Sequence, residues 1–474
     1  MKRRRFLQSA AGLAAWSVAG RAAASDGGVV RGRVTGAGKP LAGVRVSDGC
    51  RVVRTDAEGA YELALGPDSA GFVFVSCPPG YWTERFYHAI AGLTEPQRLD
   101  FPLTAVDQPP DFDIAVIADV HIEKREHAIP RFQATIAEIN ALAPALVWDL
   151  GDMSVYPDAG PVYTDCTRAL AMPLRACPGN HDVGLYDADP RALFSGFFGP
   201  TYYSFDWGGV HCVTLDGNTV VEREGKNTVD ACINGSQLRW LEADLAATPP
   251  ETPVLCAIHI PIVSTYIERR GGGSFPETFP IAPQFSAARA AVLLEILRAH
   301  NVPLVVQGHA HENERATVKG IEFVSTISVC GSWWRAKEGI ERGVDNVPRG
   351  YRVIEVRGGR IRHRYVSSAE SKTTHQGEFE GLEAKVPRAA ATPFLFNGYD
   401  APNHAAAVFQ IDGGTWQPMA AFTGKGGYVT MQMPHHFEAV TDTTGLATGP
   451  HTITARVTWP DAGPVEESAA FAVV

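Results

Sequence analysis

Phe112-Asp113-Ile114-Ala115-Val116-Ile117-Ala118-Asp119-Val120-His121 is the stretch whose reading decides the fold. A β-branched-rich run of strand length ends in a carboxylate and, two residues on, an imidazole. The pattern of polar groups after apolar runs recurs down the chain. Ala145 to Leu150 runs into Gly151-Asp152, and Gly179-Asn180-His181-Asp182 follows. Val254 to Ile258 ends in His259, and Pro303 to Gln307 ends in Gly308-His309-Ala310-His311. Helical spacing marks Phe132 to Leu142, Gln237 to Ala246 and Ala287 to Ala299. Alternating strands and helices predict an α/β core over residues 111–367, with polar groups at the carboxyl ends of its strands.

If those strand ends converge, one cleft holds two carboxylates, an amide oxygen and up to five imidazoles. Such a set suits borderline divalent metals such as Mn, Fe and Zn. On an extended strand, the i,i+2 spacing of Asp119/His121 and of His309/His311 puts each pair on one side. The glycines at 151, 179 and 308 permit tight turns and close backbone approach to a ligand. There are more donors than one tetrahedral zinc uses, so two metals sharing a carboxylate is the economical reading.

In this order, Asp-x-His, Gly-Asp, Gly-Asn-His-Asp, His and Gly-His-x-His closely resemble the calcineurin-like metallophosphoesterase superfamily. The resemblance implies a four-layered αββα core and two divalent metal ions. One ion would be held by Asp119, His121, Asp152 and His311, the other by Asp152, Asn180, His259 and His309, with Asp152 bridging. It further implies that His181 stays uncoordinated, is positioned by Asp182, and faces the substrate. The implied reaction hydrolyses a phosphomonoester or phosphodiester by attack of metal-activated hydroxide on phosphorus, with His181 assisting the leaving oxygen and no phosphoenzyme. One departure concerns Val155, which stands where purple acid phosphatases carry tyrosine. Those enzymes also lack the histidine found here at position 121, so a charge-transfer iron(III) site is disfavoured. Val155 also replaces a common acidic residue, which removes one expected support of Asp152.

Several residues admit two readings. Tyr266 to Phe279 contains Arg269-Arg270 and three glycines, a loop that either closes over phosphate or is merely solvated. Trp333-Trp334 either border the cleft as a stacking face for a base or sugar, or pack a domain contact. His211 reads as a structural strand histidine, and Asp216 as an acceptor behind the site or a turn residue. The adjacent His435-His436 is the one remaining histidine pair suited to adventitious metal. The eight cysteines match no zinc-binding spacing; buried thiols with one or two disulfides, such as Cys50–Cys77, are expected.

Both flanks read as all-β. Residues 28–105 alternate with period two and turn at Asp/Gly, a small sandwich similar to prealbumin-like or carboxypeptidase-regulatory-like modules. Residues 369–393 are polar and aperiodic, a predicted linker, and 394–474 alternate again as a second sandwich. At the N-terminus, Arg3-Arg4-Arg5-Phe6-Leu7 precedes an apolar stretch and Ala22-Ala23-Ala24. Residues 1–25 therefore resemble a twin-arginine export signal, which places the mature protein in the periplasm or outside the cell. No segment of the mature chain is apolar enough over the required length to span a membrane.

The 474 residues carry 42 basic and 52 acidic side chains. Loss of the signal removes Lys2, Arg3, Arg4, Arg5 and Arg21, taking the net charge from -10 to near -15. That balance argues against nucleic acid and favours a small phosphorylated substrate, with the export machinery as the other partner. Rival readings are an exported 5′-nucleotidase, a cyclic-nucleotide or glycerophosphodiester phosphodiesterase, and a noncatalytic envelope or carbohydrate-binding protein. The 5′-nucleotidase type carries a large α/β nucleotide-binding domain after the core, whereas only about 80 strand-like residues follow the linker here.

Overall fold

The structure is a computed structural model that describes residues 28–90, 98–269, 287–332, 341–368, 376–402, 404–424, 432–459 and 463–474. In the first module, Val29–Gly36 alternates buried and exposed residues, so one face of its sheet is apolar. That strand pairs with Ala60–Ala64 antiparallel and with Phe101–Ala105 parallel. A second sheet orders Val52–Arg54, Arg45–Ser47, Phe72–Val75 and Tyr87–Ala89. Val34, Leu63, Val46 and Val75 from the two sheets share one core.

The central module has two large sheets and, among the described residues, a two-stranded ribbon of Asn218–Arg223 and Lys226–Ala231. The first runs Leu174–Ala176, Leu146–Asp149, Phe112–Ile117, Gly350–Arg357, Arg360–Ser367, its first three strands parallel. The second runs Tyr203–Trp207, Val210–Leu215, Val254–Ile258, Leu304–Gln307, Ile321–Ser325, Glu314–Val318, its middle four parallel. The strand pleat explains the layering. Ala115, Ile117 and Val147 pack with Phe132, Ile136 and Ile139 of helix Arg125–Leu142. Their neighbours Ile114, Val116 and Trp148 belong to the core shared with the second sheet, where Trp148 Nε1 donates to Thr214 Oγ1 at 3.1 Å. Trp240 and Leu241 of Gly235–Ala246, with Leu293 and Leu297 of Ala287–Arg298, complete that core. The result is the expected αββα arrangement.

Register positions the site. Ile117 pairs with Asp149 and Asp149 with Ala176, while Leu215 pairs with Ile258 and Ile258 with Gln307. Both parallel sets therefore end level, and each chemical motif begins within a few residues of an end.

In the third module, Glu378–Glu380, Thr392–Asn397, His436–Thr441 and Ala420–Ala421 form one sheet. Lys385–Val386, Val465–Val473, Gly449–Thr458, Ala406–Ile411 and Gln417–Pro418 form the other. Phe394, Phe396, Phe409, Phe437 and Ile453 fill the space between.

Three expectations differ from the structure. Within the predicted linker, Glu378–Glu380 and Lys385–Val386 are short strands paired to Thr392–Asn397 and Val465–Val473. Edge strands bury little, so their sequence keeps the polar composition of a loop. Helix Arg125–Leu142 starts seven residues before the periodic stretch and includes Pro130 in its second turn, where the ring removes one i→i−4 hydrogen bond. The Cys50–Cys77 pairing is not formed: all eight thiols are free. Cys77 lies fully buried near Arg175, whereas Cys50 lies beside Arg239. Among the described residues, no helix is long and apolar enough to cross a membrane.

Candidate metal centre

The residues at the level strand ends leave extended geometry at once. Asp119, His121, Asp152, Ser154, His309 and His311 all have φ between 47° and 70°, the left-handed region. The pairs Asp119/His121 and His309/His311 therefore share a cleft through consecutive tight turns, and not by alternation along a strand as their spacing implied. Non-glycine residues in this region are held there by surrounding structure at a cost of about 1–3 kcal/mol each, a cost commonly met at functional sites. Backbone contacts do the holding here. Asp119 N donates to Gly151 O and His121 N to Asp152 O, each at 2.9 Å. A Cβ on Gly179 would meet Asp152 N at 2.1 Å and Asp152 Oδ1 at 2.2 Å, so only glycine allows those two turns to touch.

The side chains meet as two groups around Asp152. Its Oδ2 lies 3.6 Å from His121 Nε2, and its Oδ1 lies 3.3 Å from His259 Nε2. On the first side, His121 Nε2 faces His311 Nε2 at 3.3 Å, and His311 Nε2 stands 3.4 Å from Asp119 Oδ1. On the second, Asn180 Oδ1 lies 3.2 Å from His259 Nε2 and 2.8 Å from His309 Nδ1. The structure thus brings the side chains of all seven residues named by the resemblance together around Asp152.

The donor set fits cations. Asp119 Oδ1 is buried and has no hydrogen-bond partner, while its Oδ2 accepts from His309 N at 3.0 Å. His259 Nδ1 faces Leu150 O at 3.0 Å and His311 Nδ1 faces Gly331 O at 2.7 Å. A carbonyl only accepts, so both rings donate from Nδ1, which leaves Nε2 as the atom that faces the cluster and would ligate once deprotonated. Buried oxygen and nitrogen lone pairs converging on two points are what borderline divalent ions require.

In the metal-free cluster the carboxylates favour protons on the facing rings, which a bound ion would displace. Burial opposes a charged His259, yet Asp152 and Asp119 hold its pKa up at about 9. Burial likewise works against a charged Asp152, and His259 and His121 overcome it, keeping that carboxylate well below the usual range. For Asp119, His311 and His259 outweigh burial in the same way. His309 falls to about 4 through burial and the neighbouring charge of His259. Asp182 is pushed up to about 6 by burial and by the Asp152 carboxylate.

His181 is partly exposed and meets His121 edge to face, with ring centroids 4.9 Å apart. Its backbone N–H donates to Asp152 Oδ1 at 2.8 Å. The Asp182 carboxylate reaches the turns that carry Asp152 and Gly179. It accepts the backbone N–H groups of Asp152 at 2.9 Å, Ser154 at 2.6 Å and Gly179 at 2.8 Å. It therefore fixes the two ligand-bearing turns, and supplies the support of Asp152 that Val155 does not.

Arg269 does not line the cleft as a free phosphate clamp. It is buried, pairs with Glu312 next to His311, and donates to Gln432 O at 3.3 Å. A guanidinium committed to a carboxylate and to the third module is tying two modules together. Arg270, Trp333 and Trp334 lie outside the described residues. His211 is fully buried between Asp206 and Asp244, at 2.7 and 2.8 Å, which is the structural role expected. Asp216 accepts from Arg191 at 2.6 Å and from Asn218, whose amide donates to Pro178 O just before Gly179. His435 and His436 are buried and bonded to Asp345 and Glu380, respectively, so neither is a surface metal trap. Sequence reasoning missed the carbonyls of Leu150 and Gly331, which carry no side-chain signal, and Glu123, which lies beside His121.

Comparison with known proteins gives consistent findings. Residues 28–106 match the family described as the N terminal of calcineurin-like phosphoesterase, residues 112–313 match calcineurin-like phosphoesterase, and residues 323–456 match its C terminal. A curated relative, the "Probable cyclic nucleotide phosphodiesterase" of Rhodococcus erythropolis, is 25% identical over 163 residues. That match takes in 34% of this chain and spans about half (48%) of the relative's length. Among solved structures, a dimetal phosphatase from Danio rerio aligns with TM-score 0.38 and 16% identity, covering 56% of this chain and 98% of that one. A purple acid phosphatase from yellow lupin (Lupinus luteus) seeds aligns with TM-score 0.41 and 12% identity, covering 70% and 68%.

Proposed function

Because the chain belongs to the calcineurin-like phosphoesterase family, we propose that it hydrolyses a small phosphoric ester, either a monoester or a diester. The observation that carries this reading is Asp152, whose two oxygens face separate sets of inward-turned donors. Asp119, His121 and His311 would complete one cation site, and Asn180, His259 and His309 the other, with Mn, Fe or Zn as candidates. Two such ions, when bound, neutralise phosphoryl oxygens and make hydroxide available at neutral pH.

The remaining work belongs to the chain's own groups. His259 and His311 are pre-oriented by backbone carbonyls, so they need no reorganisation to ligate. Asp182 holds the Asp152 and Gly179 turns against each other. His181, at the open edge of the cluster, presents its ring to the substrate and donates a proton or hydrogen bond to the departing oxygen.

The name of the curated relative favours a diester, and a cyclic nucleotide is the first to try. We also read residues 1–25 as an export signal on the strength of Arg3-Arg4-Arg5-Phe6-Leu7 and the small residues Ala22-Ala23-Ala24, which makes the mature protein periplasmic or secreted. The purified chain, loaded with Mn, should turn over p-nitrophenyl phosphate or bis-p-nitrophenyl phosphate and lose turnover to a chelator. The ratio of the two rates separates monoesterase from diesterase. A metal-loaded chain inert to both esters and to cyclic nucleotides would defeat the proposal.

A further inference from the structure

Glu123 lies two residues beyond His121, in the single helical turn Ile122–Lys124, and its carboxylate turns back on the imidazole. Glu123 Oε1 stands 3.3 Å from His121 Nδ1, and Ser154 Oγ stands 3.4 Å from the same nitrogen. The other edge of the ring points into the cluster, with Nε2 at 3.3 Å from His311 Nε2 and 3.6 Å from Asp152 Oδ2. His121 is wholly buried and the Glu123 side chain is only 18% exposed. Glu123 Oε2 is itself buried without a hydrogen-bond partner. Lys124 Nζ approaches Oε1 only to 3.8 Å from a side chain 40% exposed, a contact that solvent screens.

His121 thus differs from the other two rings whose outer nitrogen is accounted for. His259 and His311 donate outward to neutral carbonyls, of Leu150 and Gly331. His121 meets a carboxylate. We infer that Glu123 is a positioning residue for one of the two cations: it accepts Nδ1–H from His121, fixes the tautomer whose Nε2 lone pair faces the cluster, and raises the basicity of that nitrogen. Outer carboxylate partners of this kind are typically worth about 10–100-fold in metal affinity. The left-handed backbone at His121 and at Ser154 brings the three side chains together. The inference rests on the metal-centre reading above and deepens it. It makes the two cation sites unequal in a defined way, because the one built on His121 leans on a removable side-chain charge, whereas His259 leans on a backbone carbonyl.

The test is a Mn titration of the full chain, following free Mn by its electron paramagnetic resonance signal, for the wild type and for Glu123→Ala, Glu123→Gln and Ser154→Ala. The wild type should take up two ions. Glu123→Ala should weaken one of them by about 10–100-fold and leave the other unchanged. Glu123→Gln keeps the shape and an acceptor oxygen but not the charge, and should fall between; Ser154→Ala should stay near wild type. Should Glu123→Ala fail to fold, Glu123→Gln decides. Unchanged affinities in both Glu123 variants would overturn the inference. So would equal weakening of both sites together with a lowered melting temperature of the metal-free variant, which would mark Glu123 as a structural residue. A wild-type chain that binds no Mn would instead sink the metal-centre reading, and this inference with it.

Discussion

Asp152 is the residue on which the chemistry turns, because a single carboxylate addresses both donor sets while Asp182 and Gly179 fix its backbone. His181 is its functional counterpart on the open side: it bonds Asp152 through its main chain and meets the His121 ring, and although its ring could join His121 and Asp152 around a cation, the proposed reading gives it the role of acid to the leaving group. Replacing His181 with Ala should therefore lower kcat by about 10²–10⁴-fold, the usual worth of a positioned acid, with metal content unchanged. The loss should be smallest on p-nitrophenyl esters, whose leaving group needs little protonation, and largest on alkyl esters. Equal loss on both, or loss of metal along with activity, would show that His181 is a ligand instead.

At the scale of elements, the site is a product of strand ends. The periodicity of the Phe112, Ala145, Val254 and Pro303 runs made the parallel strands legible, and with them the places where Asp119, Asp152, His259 and His309 would emerge. The resemblance carried by the motif order named the seven residues that the fold brings together around Asp152. What was not legible has physical reasons. The left-handed turns at Asp119 and His121 depend on a partner turn about 30 residues away, through Asp152 O, and no local pattern announces that. The resemblance assigned Asp182 to His181, and its carboxylate reaches four backbone N–H groups, of Asp152, Ser154, Val155 and Gly179, brought together only by folding. Arg269 read as a phosphate-seeking loop residue because its partners, Glu312 and Gln432, lie about 43 and 163 positions downstream. The strands at Glu378 and Lys385 were lost to a linker because short edge strands need no apolar alternation.

At the scale of the whole chain, the outer modules are joined to the centre by buried ions as well as by apolar contact. Arg45 of the first sandwich pairs with Asp206 at 2.8 Å and lies 3.5 Å from Asp244 of the core. On the other side, Arg352 is fully buried and pairs with Asp400 of the third module at 2.7 Å, and within the core Glu322 meets Arg315 and His363. Burial alone would raise both acids; Arg352 holds Asp400, and His363 with Arg315 holds Glu322, at about 2. These folded values lie below the ordinary 3.8 and 4.5, so their stabilisation is complete above about pH 4.5 and is lost as pH falls toward 2. The melting temperature should drop across that window. Asp400→Asn should flatten part of the drop and cost about 3–5 kcal/mol at neutral pH, because it leaves Arg352 buried without its charge partner. An unchanged acid slope in Asp400→Asn would show that this contact contributes little to holding the third module on the core.

The most direct measurement is the metal content and electron paramagnetic resonance spectrum of Mn-loaded wild type beside Asp152→Asn. Two ions per chain with an exchange-coupled spectrum in the wild type, and loss of the coupling together with ester hydrolysis in Asp152→Asn, is the expected result. Two uncoupled ions, a single ion, or an Asp152→Asn chain that keeps both the coupled pair and its turnover would contradict a shared carboxylate at the centre of this site.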